Sequence, residues 1–313
     1  MLGRTANGLY WMYRYLERAE NISRLVETGQ RLALTRLGTS DDEWRSVLQS
    51  AGGWEAYQTF NESLTKDHAI DWMLRSPDNP SSVKTCLEAA RSNARSVRTA
   101  LTEESWEAVN GAYIDIKELL SRKLRERDLP QALGRIRRHT ALVRGTTHGT
   151  MLRNDIYDFV RLGTFLERAD NTARILDVKY YVLLPTAFGV GSSIDNVQWE
   201  TILSSTSARG GYRMAYGNTV RPRDIAHFLI LDRRMPRSLA FCVSKIQDNL
   251  GYIASDYGSR QPSHDLADDL GRTCVSQDID VIINEGLHEY LQDFLSRLGA
   301  LGRRIEEDYR FTE

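Results

Sequence analysis

Cysteine is scarce in this chain. Cys86, Cys242 and Cys274 are the whole set in 313 residues, an odd number without CxxC spacing. That argues against a disulfide framework and for a reducing compartment. Proline is scarce too, at seven residues, so long stretches run without a helix breaker. No apolar run reaches membrane length: Tyr180-Tyr-Val-Leu-Leu-Pro-Thr-Ala-Phe-Gly189 is the most apolar stretch, and Pro185 interrupts it. The opening residues, MLGRTANGLYWMYRYLERAE, carry charges throughout and have no apolar core of a signal peptide. Excess charge is missing as well. Lys and Arg number 41 against 42 Asp and Glu, a net charge of −1, so no global field draws nucleic acid or an anionic membrane. The expectation is a cytoplasmic protein with no nucleic-acid or membrane partner.

What is present is helical periodicity. Leu9, Met12, Leu16, Ala19, Ser23 and Val26 form one stripe of a helix over about 5–36. Ser40-Asp-Asp-Glu43 reads as a capping box, Asn79-Pro80 as the start of a run to about Leu101, Thr102-Glu-Glu as a cap, and Asp128-Leu-Pro130 as another start. A long helix is expected from about Arg153 to Leu184, a loop over 186–197, and helices near 223–233, 236–257 and 277–308. No alternating strand pattern appears. The expected fold is all-α.

Three blocks recur in order. Leu16-Glu-Arg-Ala-Glu-Asn-Ile-Ser-Arg24 returns as Leu166-Glu-Arg-Ala-Asp-Asn-Thr-Ala-Arg174; Trp44 to Ser50 returns as Trp199 to Ser205; Pro80 to Cys86 returns as Pro236 to Cys242. In the same register Tyr57 meets Tyr212 and Asn93 meets Asn249. The pattern predicts a duplicated multi-helix bundle, a first repeat over 1–150 and a second over 151–313, related by a pseudo-two-fold axis within one compact unit.

Tyr10, Arg14, Glu17, Asn21, Arg24 and Thr28 form a polar line along the first helix. The second copy keeps Glu167, Asn171 and Arg174 but has Val160, Thr164 and Val178 at the other positions. Three readings stand side by side. The line is a solvated face laced by Glu20–Arg24 and Asp170–Arg174 pairs. Or Glu17, Arg24, Glu167 and Arg174 form a buried ion-pair network that fixes register. Or Arg14, Glu17, Asn21, Arg24, Glu167, Asn171 and Arg174 line a substrate site, with arginine forks holding a carboxylate or phosphate and the acids an amine.

Other chemistry finds little support. Glu285-Gly-Leu-His288 fits a di-metal motif once and Asp224-Ile-Ala-His227 only loosely, so no metal is expected, and His288 reads as a surface residue. Ser81-Ser-Val-Lys84 lacks the partners of an S-x-x-K hydrolase, and Ser82 and Ser238 read as helix caps. Cys86 and Cys242 read as small core residues. Gly189-Val-Gly-Ser-Ser193 is no P-loop, and no cofactor is expected. Arg137, Arg144 and His148 share a face suited to phosphate or an acidic peptide, although a solvated basic face explains them as well.

The stretch from Arg4 to Arg24, its counterpart from Arg153 to Arg174, and the Asn93-Ala-Arg-Ser-Val-Arg98 and Trp106 segments closely resemble the bacterial alpha-E domain family, over nearly the whole chain. That resemblance implies a helical fold and partners: a circularly permuted ATP-grasp ligase and a transglutaminase-like protease. It implies a role in ATP-dependent amide-bond or peptide modification. The expected function is a helical accessory subunit of such a ligase, binding a peptide or amino-acid ligand, with Trp54, Tyr57, Tyr212 and Tyr216 as contact aromatics. The alternatives are an enzyme using Glu17 or Glu167 as acid/base, and a purely structural adaptor.

Overall fold

The computed structural model describes residues 1, 3–33, 40–183 and 193–312, apart from the side chains of 40–42, 178–183 and 193–196. Among these residues there are fifteen α-helices and no strand. They are α1 (Gly3–Ala33), α2 (Ser40–Ser50), α3 (Trp54–Phe60), α4 (Lys66–Leu74), α5 (Val83–Ser96), α6 (Glu103–Leu119), α7 (Leu129–Thr150), α8 (Asp155–Leu183), α9 (Ser193–Ser205), α10 (Arg209–Tyr216), α11 (Pro222–Ile230), α12 (Leu239–Tyr257), α13 (Pro262–Thr273), α14 (Ile279–Glu285) and α15 (Leu287–Asp308).

Local chemistry sets the helix starts. The Ser82 hydroxyl accepts from Thr85 N at 3.2 Å, Ser238 from Phe241 N at 3.0 Å and Thr102 from Ser105 N at 3.3 Å. Each side chain satisfies a backbone donor that has no partner inside its helix. The expected start at Asn79-Pro80 shifts accordingly. Asn79 instead makes a turn, its Oδ1 accepting from Ser81 N, and the helix begins after Ser82. Likewise Pro236 lies outside α12, which Ser238 opens. The single helix expected over 277–308 is broken at Gly286, whose φ of 110° suits glycine and ends α14. Part of the loop expected over 186–197 is helical, because α9 starts at Ser193; residues 184–192, including Pro185 and most of the Gly189–Ser193 segment, lie outside the described residues.

Two long helices organise the bundle. α1 packs against α8, α5 and α7, while α8 also packs against α12 and α15. The apolar stripe of α1 is buried throughout, from Leu9 to Val26, and so is most of its polar line: Tyr10, Glu17, Asn21, Arg24 and Thr28 are all under a tenth exposed. A line withdrawn this far from water is no solvated face, which corrects the first reading for the first copy; in the second copy the Asp170–Arg174 pair is partly exposed. α1 and α8 cross backbone to backbone. A Cβ on Gly163 would lie 3.0 Å from the Tyr10 carbonyl carbon and nearer still to its oxygen, so only glycine fits there.

Cys86 and Cys242 are fully buried, and each thiol sits 4.0 Å from a proline carbonyl, Pro80 and Pro236 respectively. Burial pushes both thiols up to about 12, so they behave as small core residues. Tyr57 and Tyr212 are also buried, donating to the carbonyls of Ser63 and Thr219 at 2.9 and 3.0 Å. Trp54 and Tyr216 stack on them at ring distances of 5.9 and 5.1 Å, themselves only partly exposed. Tyr57 and Tyr212 are core packing, which corrects the expectation that they form an exposed contact surface; Trp54 and Tyr216 remain partly exposed. Among the described residues no helix is long and apolar enough to cross a membrane.

Candidate functional site

The seam between α1 and α8 is built from exchanged Glu-Arg pairs. Arg18 grips Glu167 with two hydrogen bonds, Nε to Oε1 at 2.6 Å and Nη2 to Oε2 at 3.0 Å. Arg168 returns the contact to Glu17, Nη2 to Oε1 at 2.7 Å and Nε to Oε2 at 3.3 Å. Each glutamate holds a second guanidinium: Arg14 reaches Glu167 at 2.9 Å, and Arg144 of α7 reaches Glu17 at 3.0 Å. Planar two-pronged pairing of this kind is the strongest form of ion pair.

The acids are correspondingly fixed in their ionised form. Burial alone would raise the Glu167 carboxyl, but Arg18 and Arg14 outweigh it and hold it at about 2. Burial likewise opposes ionisation of Glu17, and Arg168 and Arg144 reverse the effect. A carboxylate clamped by two cations is poorly suited to taking up and releasing a proton.

One turn further along, the two sides of the seam differ. On one side Glu20 is enclosed by Arg24 at 2.7 Å, Arg237 at 2.5 Å and Thr140 at 2.8 Å, with Arg144 also bonded to it. Arg24 also donates to the Ser205 carbonyl at 3.0 Å. Arg237 has one buried nitrogen without a partner, and burial pushes its guanidinium down to about 10. On the other side, among the described residues, Asp170 pairs only with Arg174, at 2.7 Å, and Arg174 donates to the Ser50 carbonyl at 3.4 Å. The sequence position matching Arg237 is Ser81, too small to fill the space.

A cavity of about 260 Å³ opens there, lined by Arg14, Arg18, Arg174, Glu167, Asp170 and the two asparagines Asn21 and Asn171 among others. It shares Ile22, Ala51, Gly52 and Ser81 with an adjoining recess of about 70 Å³ that reaches Leu48, Met73 and Trp72. Among the described residues, three buried polar atoms at this place have no partner: one end of the Asn21 amide, one end of the Asn171 amide and the Trp72 indole N–H. Buried polar atoms normally find partners, so unsatisfied polar groups lie just behind the cavity wall.

Of the seven residues singled out from sequence, Arg14, Asn21, Glu167, Asn171 and Arg174 line this cavity. Glu17 and Arg24 belong to the closed side, with Arg168, Arg144 and Glu20. The expected network of Glu17, Arg24, Glu167 and Arg174 is therefore repartnered: none of those four pairs with another, and Arg18, Arg168, Arg144 and Arg237 supply the missing contacts. Arg18 and Arg168 lay in plain view inside the repeated Glu-Arg dipeptide, one position off the polar line. Nothing local pointed to Arg237.

The basic run on α7 is also engaged internally. Arg137 pairs with Glu27 at 2.7 Å, Arg144 with Glu17, and His148 Nδ1 lies 2.9 Å from the Tyr157 hydroxyl. His288 is not a free surface residue either; its Nδ1 lies 2.6 Å from Asp177 of α8. Among the described residues no group of three potential metal ligands comes together.

These features define an all-helical protein organised around a doubled Glu-Arg pair. The chain belongs to the Alpha-E family, described as a predicted alpha-helical domain with a conserved ER motif, whose sequence profile matches residues 1–309. Uncharacterized proteins of Mycobacterium bovis and Mycobacterium tuberculosis are 21% identical to it over 99% of this chain. The chain spans 37% of the length of those relatives. No solved structure matches it.

Proposed function

We propose that this chain is a helical accessory module of a circularly permuted ATP-grasp amide-bond ligase, and that the cavity at the α1–α8 seam holds a carboxylate-bearing peptide or amino-acid substrate for it. The observation that carries the reading is the composition of that cavity. Three guanidiniums, Arg14, Arg18 and Arg174, face two acids, Glu167 and Asp170, leaving an excess positive charge beside unpartnered asparagine and tryptophan groups. An anionic group with a hydrogen-bonding, partly apolar tail is complementary to such a lining. The clamped state of Glu17 and Glu167 weighs against the enzyme alternative, in which one of them exchanges protons. That the relatives carry this domain within much longer chains fits a module acting beside another domain. The transglutaminase-like protease belongs to the same proposed system.

The matched contacts of the two halves support descent from a duplicated unit, with repeats over 1–150 and 151–313 in one compact body. Arg24 and Arg174 bond the matching Ser205 and Ser50 carbonyls, and Ser82 and Ser238 cap matching helices.

Co-expression with the ATP-grasp ligase and purification of the pair tests the proposal. The expected result is a stoichiometric complex, burying about 1,200–2,000 Å², with ligase turnover that the partner lacks alone and that Arg174→Ala abolishes. Robust ATP-independent turnover by this chain in isolation would overturn it.

A further inference from the structure

A second cavity, of about 490 Å³, lies at the other end of α8, against α12. Arg161 stands some twenty ångströms along the helix from Arg174, at roughly 1.5 Å per residue, so this place is separate from the seam cavity and does not depend on the function proposed for it. Most of the charges that line it are not matched to each other. Lys245 and Asp248 pair at 2.6 Å. Arg153, Arg161 and Asp158, around the start of α8, and Asp256, facing them from α12, form no ion pair with any described residue.

Arg161 is held in place by aromatic faces, its guanidinium 4.4 Å from the Phe165 ring centre and 5.7 Å from that of Tyr157. Burial pulls its pKa down, and the nearby Arg168 and Arg153 add to that. The arginines of the seam that have acid partners, Arg14, Arg18, Arg144 and Arg168, shift the opposite way. Arg161 is thus a half-buried cation, packed on aromatic rings, with no acid in ion-pair contact among the described residues. Asp158 is its converse. It is 5% exposed and lines the cavity, and its carboxyl group has no hydrogen-bond or ion-pair partner among the described residues. Burial raises its carboxyl to about 7, with Asp256 and Asp155 contributing. An unneutralised acid and an unneutralised guanidinium share one open space, beside the half-exposed ring of Tyr252.

We propose that the α8–α12 cavity binds a zwitterion of amino-acid or short-peptide type, its ammonium group at Asp158 and Asp256 and its carboxylate at Arg161, with Arg153 flanking. Each ligand charge supplies the partner that a buried protein charge lacks. A simple anion would answer only Arg161 and would worsen the position of Asp158. A simple amine would do the reverse.

The full-length protein is titrated calorimetrically with L-phenylalanine and L-phenylalanyl-glycine, with their N-acetyl and C-terminal amide forms, and with inorganic phosphate. Saturable binding of at least one free zwitterion is expected, weakened at least tenfold by either cap. Arg161→Gln should remove the penalty of amidation, and Asp158→Asn the penalty of acetylation. Asp256 is exposed, so Asp256→Asn tests the ammonium end without touching the core should Asp158→Asn misfold. Absence of saturable binding for every probe overturns the proposal. So do equal affinity for free and capped forms, tighter binding of phosphate than of the zwitterions, and affinities unchanged in all three variants.

Discussion

Arg168 of α8 reaches Glu17 of α1 at 2.7 Å, and both side chains are almost entirely withdrawn from solvent. Removing Glu17 strands Arg168, while removing Arg168 leaves Glu17 with Arg144 alone. Glu17→Ala leaves Arg168 and Arg144 without their shared carboxylate, and Glu167→Ala does the same to Arg18 and Arg14. Each substitution is expected to cost about 3–5 kcal/mol, measured by urea denaturation. A cost under about 1 kcal/mol for both would show that the arginines find other partners.

Acid should weaken the same seam. A carboxyl depressed in the fold stabilises above its unfolded value, near 4.3 for glutamate by rough convention, and that stability is lost as pH falls through the folded value. For Glu167 the folded value is about 2. The window therefore runs from about pH 4.5 down to 2, and it carries on the order of 3 kcal/mol for this one group. Glu167→Gln should flatten the stability profile between those limits. An unchanged acid limb would mean that other carboxylates set it.

Asp158 gives the opposite sign. Its folded value is raised to about 7, so its contribution is intact below the unfolded value near 4 and turns into a cost as pH rises through 7. Asp158→Asn is expected to gain stability relative to the parent at pH 8 and little at pH 4. Thermal melts at the two values decide it.

The helix crossing yields a steric test. Gly163→Ala drives a methyl into the Tyr10 carbonyl, and about 1–3 kcal/mol of destabilisation is expected, more if the helices cannot shift. Gly145, on α7, has nothing within 4 Å of a Cβ, and Gly145→Ala should gain about 0.5–1 kcal/mol from helix propensity. Equal effects at the two positions would place the close crossing elsewhere.

On the seam cavity, Arg174→Ala removes a side chain about a third exposed and paired with a half-buried acid. Stability should change by less than about 1 kcal/mol, while substrate binding or ligase-coupled turnover falls at least tenfold. Loss of both together would make Arg174 a structural residue.

The helical class and several helix starts were legible in the sequence because caps are local: Thr102, Ser82 and Ser238 need only the backbone three residues ahead. The polar line was legible as a line, since spacing along one helix needs no knowledge of its neighbours. Its partners were not. Arg144 reads as part of a basic face until α7 is laid against α1, and only then does it turn out to answer Glu17 and Glu20. Arg18 sits one residue from Glu17 and so falls off the line, yet it bonds the other helix. The break at Gly286 was missed because the periodicity on its two sides is continuous in composition. Which of two matched positions is filled, by Arg237, or left open, by Ser81, is a tertiary fact that no single segment contains.

The placement of α1 has a consequence for how the chain comes to be folded. Glu17 finds its partners on α7 and α8, which are made more than a hundred residues later. Until then Glu17 has no partner and can only remain hydrated, and the face of the central pillar that meets α8 cannot yet be buried. Closing so long a loop before any reward is slow. Ribosome-bound chains that stop short of α8 should therefore keep the α1 amides open to hydrogen exchange, and protection of α1 should arrive together with that of α8 rather than before it.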